Sequence, residues 1–490
     1  MAMRNTVRTS VSHPLLIAAV PAGAGMGRVG ITFCPGKKQP SAFTGCWDRD
    51  LDTDVAAIAA WGAVAVVTLV EDHELTSLSV EGLGDAVRAR HMDWLHLPIR
   101  DVSVPTAAFE TAWAELGPSL RSRLRAGFDV LVHCKGGLGR AGTVASRLLV
   151  DCGWSPADAL AAMRAARPGA VETPAQERYV LTLTALPAHH PNPSEAATSD
   201  RAFGSLLGLA VGDAVGTTLE FTRRDAGAPL NDMVGGGPFR LKPGEWTDDT
   251  AMALALADSL AADPQLSEAD LMRRFVGWHR RGTYSCTGQC FDIGVTTRQA
   301  LARFEATGEG VAGSADPMSA GNGSLMRLAP VAIRHWRDRT QLAAVAARQS
   351  RTTHGAPEAV DACIAFADML ADAISGMSKD ELLSRPRPSS SPAIAAILDG
   401  SWRGKRRNQI SSSGYVVHSL EAALWCVGRT GDFRSAVLLA VNLGDDADTV
   451  AAITGQLAGA LYGASGIPPE WLDKLAWRER LTHAAEALLA

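Results

Sequence analysis

Up to about residue 186 the chain alternates short, dense apolar runs with longer amphipathic ones. Residues 64–70, 94–99 and 129–133 are brief and rich in β-branched or aromatic side chains, which predicts strands. Residues 50–61, 107–125 and 140–152 space their apolar positions with helical period. Strands and helices in alternation predict an α/β domain, a central sheet flanked by helices. The apolar stretch 14–20 is too short to span a membrane and reads as a first strand. Between 187 and 199 Pro, Ser, Asn and Ala replace the apolar periodicity, as in a linker.

From 200 to 490 the strand signal fades and Ala- and Leu-rich helical periodicity dominates, predicting an all-α domain. Its first helix carries Gly204, Gly208, Gly212 and Gly216. A glycine every fourth residue makes a smooth stripe against which another backbone can pack closely. Each costs about 1 kcal/mol of helix propensity relative to Ala, so the stripe needs a packing or functional reason. Asp213 and the shortness of the run argue against a membrane helix. Residues 384–392 read as a surface loop, and no internal repeat is evident.

At 490 residues the chain exceeds one ordinary core, in keeping with domains at 1–186 and 200–490. Its 47% hydrophobic and 20% charged residues are those of a soluble globular protein, so no membrane association is expected. A net charge of −5 leaves no basic footprint, and nucleic acid is not favoured as a partner. The eight cysteines are scattered and form no disulfide framework; with no secretory signal, a reducing cytoplasm is expected. Cys286 and Cys290, four apart, would share a helix face, where packing is preferred to zinc for want of a second ligand pair.

Two acidic motifs carry the strongest chemical signal: Trp246-Thr247-Asp248-Asp249-Thr250 and Gly444-Asp445-Asp446-Ala447-Asp448-Thr449. Each sets carboxylates and hydroxyls at the start of a helical stretch. Crowded carboxylates repel one another unless a cation neutralises them, and oxygen ligands suit magnesium or manganese, not zinc. The competing explanation is that Asp and Thr cap helices and complement their dipoles. Two such motifs in one chain put the metal reading ahead.

A second constellation follows the strand at 129–133: His133-Cys134-Lys135-Gly136-Gly137-Leu138-Gly139-Arg140-Ala141-Gly142-Thr143, then a helix. A Gly-rich turn feeding a helix N-terminus gathers backbone N–H groups into an anion site. Cys134 at its base is a candidate nucleophile, and Arg140 can grip phosphate oxygens in pairs. The glycines also match a dinucleotide fingerprint, but no acidic ribose partner follows. Gly25-x-Gly27-x-x-Gly30 matches too and reads as a turn.

The spacing Cys134-x5-Arg140 after His133, with residues 33–37, 97–101 and 167–176, resembles the cyclin-dependent kinase inhibitor 3-like branch of the dual-specificity phosphatases. That resemblance implies that Cys134 attacks phosphorus, Arg140 holds the phosphoryl oxygens and Asp101 protonates the leaving group. It makes Lys135, Gly136, Gly137 and Gly139 the phosphate-binding loop and gives Gln176 a role in positioning water. The family's hydroxyl residue after the arginine is replaced by Ala141, which slows turnover unless Thr143 substitutes.

The region from 200 to 490 resembles the ADP-ribosylglycohydrolases, the family of dinitrogenase reductase-activating glycohydrolase. The resemblance rests on ordered blocks: Gly212-Asp213-Ala214-Val215-Gly216 with Glu220, the two acidic motifs, Gly321-Asn322-Gly323-Ser324-Leu325-Met326-Arg327, Thr353-His354 and Gly414-Tyr415-Val416-Val417. It implies an all-helical fold whose cleft holds two magnesium ions (or manganese), with Thr247, Asp248, Asp249, Asp446, Asp448 and Thr449 as ligands. Glu220 would be catalytic or gating and Asp213 would support the site. Gly321, Asn322, Gly323 and Ser324 would face the diphosphate, with His354 and Tyr415 in the substrate cleft. Asp445 is left as a flanking residue.

The expectation is a bifunctional hydrolase that releases ADP-ribose from a modified protein, arginine first, or from a small acceptor, and hydrolyses a phosphorylated substrate. One alternative keeps the glycohydrolase and makes the phosphatase-like domain a binding module. The other is a non-enzymatic scaffold, against which stands the retention of every metal-site residue.

Overall fold

A computed structural model describes residues 7–42, 45–186 and 194–490. The chain divides into two compact units, Met1–His189 and His190–Ala490. Residues 187–193 of the expected linker lie outside the described residues, and its end is helical: the first C-terminal helix begins at Glu195, capped by Ser194, rather than at 200.

The N-terminal unit is built on strands β1 (Ala18–Pro21), β2 (Arg28–Phe33), β3 (Lys38–Ala42), β4 (Gly45–Asp48), β5 (Ala63–Thr68), β6 (Asp93–His96) and β7 (Asp129–Cys134). Five of them form a sheet in the order β1-β2-β7-β5-β6, while β3 and β4 pair separately. β7 lies at its centre, parallel to β2 and β5. It is therefore covered on both faces, and Val130 to Val132 are fully buried. The predicted helices stand at Leu51–Trp61, Ala107–Arg125 and Gly139–Asp151. Asp50 is the cap of the first, accepting from the Thr53 N–H at 2.7 Å. Gly25 and Gly27 belong to the turn from β1 into β2, as expected, whereas Gly30 lies within β2, paired with Ala19 and Leu131.

Among its described residues the C-terminal unit contains helices and no strand. The glycine stripe explains its centre. Helix Glu195–Gly216 lies against helix Ala447–Tyr462 so closely that a Cβ on Gly204, Gly208 or Gly212 would fall 2.2, 2.3 or 2.1 Å from the carbonyl oxygens of Gly459, Gly455 and Ala451. Gly455 and Gly459 return the contact on Gly208 and Gly204. By length and composition, Glu195–Leu219 could cross a membrane, but 83% of its apolar window is buried within the protein. The loop 385–391 is pinned by carboxylates: Asp361 accepts from the Ser390 and Ser391 N–H groups, and Asp372 pairs with Arg385 and Arg387.

Gly212→Ala should destabilise this unit by about 1–3 kcal/mol, because overpacking outweighs the gain of about 1 kcal/mol in helix propensity. Denaturant unfolding measures it, and wild-type stability would rule out the backbone contact.

Candidate active sites

The two acidic motifs meet at the end of the glycine stripe. Thr247 and Asp446 occupy the N-cap positions of helices Asp248–Ala262 and Ala447–Tyr462, yet neither side chain caps its helix. The helix starts are satisfied from elsewhere. Asp213 accepts from the Thr247 and Thr250 N–H groups at 2.9 and 3.0 Å, and from both hydroxyls at 2.9 and 2.6 Å. Glu220 accepts from the N–H groups of Ala447 and Asp448 at 2.8 and 3.3 Å. The Thr247 and Asp446 side chains therefore do not cap their helices, although Asp448 serves its own helix start by accepting from the Thr449 N–H at 2.7 Å.

The carboxylates converge. Asp213, Asp249 and Asp448 each place a carboxylate oxygen within 4.8 Å of the other two, and so do Glu220, Asp446 and Asp448. The Thr247 hydroxyl lies 3.3 Å from Asp249 and 3.2 Å from Asp448, and the Thr449 hydroxyl 3.5 Å from Asp249. Among the described residues none of these carboxylates is ion-paired to a Lys, Arg or His. Asp249 Oδ1 is buried with no hydrogen-bond partner. Burial, then mutual repulsion, pushes Asp213, Asp446 and Asp448 up to about 7 and raises Glu220, Asp248 and Asp249 as well. An unpaired oxygen-rich cluster with an orphaned carboxylate oxygen fits a hard divalent cation.

In the N-terminal unit, Cys134 ends the central strand and the helix Gly139–Asp151 begins beyond the loop. The Gly137 N–H donates to Cys134 Sγ at 3.3 Å. Gly137 has φ 73°, and a Cβ there would strike the Thr32 and Phe33 backbone at 2.5 Å, so no other residue serves. Arg140 is buried and held by both Glu74 oxygens at 2.5 and 3.0 Å and by the Ile99 carbonyl at 2.8 Å. Asp101 Oδ1, more exposed, lies 3.0 Å from the same guanidinium. Burial alone would raise Glu74, but Arg140 holds it below the ordinary carboxylate range. Cation and acid are thus in contact, and the nucleophile stands at the start of the loop that leads to the cation. His133, pushed down to about 3 by burial, is neutral and bonded to the Thr68 hydroxyl at 2.7 Å.

Residues 194–490, more than half of the chain, match the ADP-ribosylglycohydrolase family. The chain belongs to the ADP-ribosylglycohydrolase family. Residues 39–180 match the family described as Swiss Army Knife protein, DSP-PTPase phosphatase domain. The ADP-ribosylarginine hydrolase Tri1 of Pseudomonas putida (strain GB-1) is 52% identical over 291 residues, covering 59% of this chain and 78% of that protein. The ADP-ribosyl-[dinitrogen reductase] glycohydrolase of Rhodospirillum rubrum is 35% identical over 297 residues, 59% of this chain and 96% of its own. A solved ADP-ribosylglycohydrolase-related protein complex is 40% identical with a TM-score of 0.53, covering 60% of this chain and 98% of that one.

In this family member the remaining expected site residues lie as follows. The Asn322 side chain donates to Asp446 at 2.6 Å and Ser419 at 2.8 Å, so it orients a carboxylate of the cluster. The Gly321 and Asn322 N–H groups are spent on the Ser319 and Gly414 carbonyls. The Ser324 hydroxyl is buried against Ser350 at 2.9 Å. His354, lowered to about 3 by burial, packs beneath Gly321 and Gly323 and bonds Thr353 at 2.8 Å. Tyr415 pairs its strand-like backbone with Gly321 and donates its hydroxyl to Glu358 at 2.5 Å. In the phosphatase-like domain, Gln176 spends its amide on the Glu172, Thr173 and Ser103 backbone, and the Thr143 hydroxyl donates to the Gly139 carbonyl at 2.8 Å. Thr143 therefore does not stand in for the missing hydroxyl at Ala141.

Sequence reasoning missed four residues. Thr250 shares the Asp213 carboxylate. Asp292, pushed up to about 6 by burial and by the neighbouring Asp213 and Asp446, joins the same cluster of carboxylates. Glu74 anchors Arg140. Lys37, lowered to about 8 by burial, donates to the Lys135 carbonyl at 3.3 Å above the Phe33 and Trp47 rings. Thr250 belongs to the first acidic motif without an assigned role there, Lys37 lies in the Phe33-to-Lys37 match, and Glu74 and Asp292 reach their sites from distant segments without a motif of their own. The Cys286–Cys290 expectation needs correction. Gly282, at φ 67°, ends the preceding helix, so both lie in a loop, where Cys286 bonds the Trp246 backbone and Cys290 faces His279.

Raised carboxylates hold protons when folded that the unfolded chain has released. They stabilise the cation-free fold below about pH 4, and that contribution is lost as pH rises towards 7. A divalent cation replaces those protons, so its affinity should rise about tenfold per pH unit for each proton displaced between pH 5 and 7. Calorimetric titration of the metal-stripped protein with magnesium checks this; a pH-independent affinity would exclude the cluster as its site.

Proposed function

We propose that the C-terminal domain removes ADP-ribose from a modified protein side chain, arginine first and a small acceptor second, with magnesium. The N-terminal domain then hydrolyses a phosphoester through its cysteine. One observation carries the first half: carboxylates of both acidic motifs gather at one buried point, and among the described residues no Lys, Arg or His pairs with them. Relatives named as ADP-ribosylarginine hydrolases support the arginine linkage. Eight free thiols support a reducing cytoplasm.

Thr247, Asp248, Asp249, Asp446, Asp448 and Thr449 would hold two magnesium ions (manganese would also serve), which would supply Lewis acidity towards ribose hydroxyls and a water nucleophile. Asp213 fixes Thr247 and the start of its helix, and Asn322 fixes Asp446. Glu220, joined by Asp292, stabilises the positive charge that develops on the ribose as the glycosidic bond breaks. The loop 321–324 forms the diphosphate side over His354, with Tyr415 beside it.

In the N-terminal domain the Cys134 sulfur attacks phosphorus within Lys135, Gly136, Gly137 and Gly139, while Arg140 holds the phosphoryl oxygens. Asp101 gives its proton to the leaving oxygen and then takes one from the hydrolytic water. Glu74 keeps the Arg140 fork in place. A second reading, phosphate binding without turnover, is favoured by Ala141 and by the committed Thr143 hydroxyl. Neither supplies a donor for the departing thiolate. The scaffold reading has no such support, since every expected ligand is present.

Asp446→Ala should abolish ADP-ribose release from an arginine-modified peptide and leave hydrolysis of an aryl phosphate intact. Cys134→Ser should do the reverse. Normal ADP-ribose release by the first variant would sink the metal assignment; equal inactivity of wild type and Cys134→Ser on phosphopeptides and small phosphoesters would leave the binding module. Ala141→Ser should restore about one net hydrogen bond to the leaving thiolate and speed breakdown of the phosphocysteine about tenfold. Single-turnover decay of the phosphoenzyme reads this directly.

A further inference from the structure

Beside the carboxylate cluster lies a cavity of about 540 Å³ that the mechanism above does not use, lined by Phe221, Thr222, Arg223, Ser411, Ser412 and Asp445 among others. It shares two chain segments with the cluster. Glu220 and Asp446 turn their carboxylates towards the cluster. Their neighbours Phe221 and Asp445 line the cavity.

Phe221 and Asp445 are unusual in the same way. Both hold left-handed backbone, at φ 57° and 65°, a conformation costly for residues with side chains and common at functional sites. They are clamped to one another: the Phe221 N–H donates to the Asp445 carbonyl and the Asp445 N–H to the Thr222 carbonyl, each at 2.8 Å. The clamp presents Phe221 at 68% exposure instead of burying its ring. From Phe221 an aromatic row runs back to the cluster. Phe239 lies 6.4 Å from Phe221 and 5.1 Å from Phe291, and Phe291 precedes Asp292. Asp445 itself is exposed. Arg224, in contrast, is spent on the carbonyls of Arg407, Ile410 and Leu443 and shapes the wall.

We propose that Phe221 and Asp445 form the acceptor subsite, in which the guanidinium of the modified arginine stacks on the Phe221 ring and pairs with the Asp445 carboxylate. A planar cation is the group that uses both partners at once. A serine acceptor would use neither. The inference rests on the arginine-linked reading of the glycohydrolase.

The test is steady-state kinetics of the full chain with magnesium on an arginine-linked ADP-ribosyl peptide, with free ADP-ribose as product inhibitor. Phe221→Ala and Asp445→Asn should each raise KM on the order of fivefold, with a smaller change in kcat and the inhibition constant of ADP-ribose unmoved. Asn tolerates the left-handed backbone, so the second variant changes charge alone. Phe221→Tyr should retain the wild-type KM, and Arg223→Gln, which removes a like charge from the cavity, should lower it. An unchanged KM in both Phe221→Ala and Asp445→Asn overturns the subsite, as does an equal loss of ADP-ribose inhibition. A wild type that releases no ADP-ribose from the arginine peptide overturns the linkage, and the subsite falls with it.

Discussion

Everything in the C-terminal domain depends on two helices touching through their backbones. Glycines on Glu195–Gly216 face the carbonyls of Ala447–Tyr462, and glycines on the second helix answer those on the first. Each glycine weakens its helix, yet together they remove the side-chain layer that ordinarily holds helices 8–10 Å apart. The contact ends at Gly216 against Asp448. Asp213 on one helix and Asp448 on the other are thereby brought within reach of the same point. A single added methyl group along the stripe would push the carboxylates apart.

The same closeness has an electrostatic consequence. Buried carboxylates at this density are unfavourable on their own, which is why their affinities for protons are raised. The fold does not relieve them with arginines or lysines. It spends Asp213 and Glu220 on helix N–H groups, gives the motif carboxylates neutral donors such as Asn322 and the Thr449 N–H, and leaves one oxygen of Asp249 without a partner. The N-terminal domain solves the opposite problem. There a buried cation, Arg140, would be costly alone, and Glu74 and the Ile99 carbonyl stabilise it. Both sites hold their charged groups in place with neighbours drawn from other segments, Asp213 and Glu220 in one and Glu74 in the other.

Much of this was legible in the chain. The α/β and all-α halves follow from apolar period, and strand and helix bounds shift by only a few residues, as when 64–70 becomes Ala63–Thr68. The acidic motifs and the Cys134 loop declared their chemistry because several functional side chains sit within a few residues of one another. Glu74 and Asp292 did not, since each arrives alone from a loop or short helix with ordinary surroundings. The segment with Cys286 and Cys290 forms a loop because Gly282 ends the preceding helix, which a four-residue spacing alone does not reveal.

By itself the sequence determined the two domains, the glycine stripe, the acidic motifs and the nucleophile loop, because each is a local pattern that backbone geometry reads directly. Tertiary structure decided what the motifs are for. Whether Thr247 and Asp446 cap helices or stand free depends on Asp213 and Glu220, which come from a segment more than thirty residues before the first and more than two hundred before the second. Hydrogen-bond competition across such distances is settled only when the helices pack. Packing also turned Asp445 from a flanking residue into one wall of a cavity, opposite in role to the Asp446 beside it.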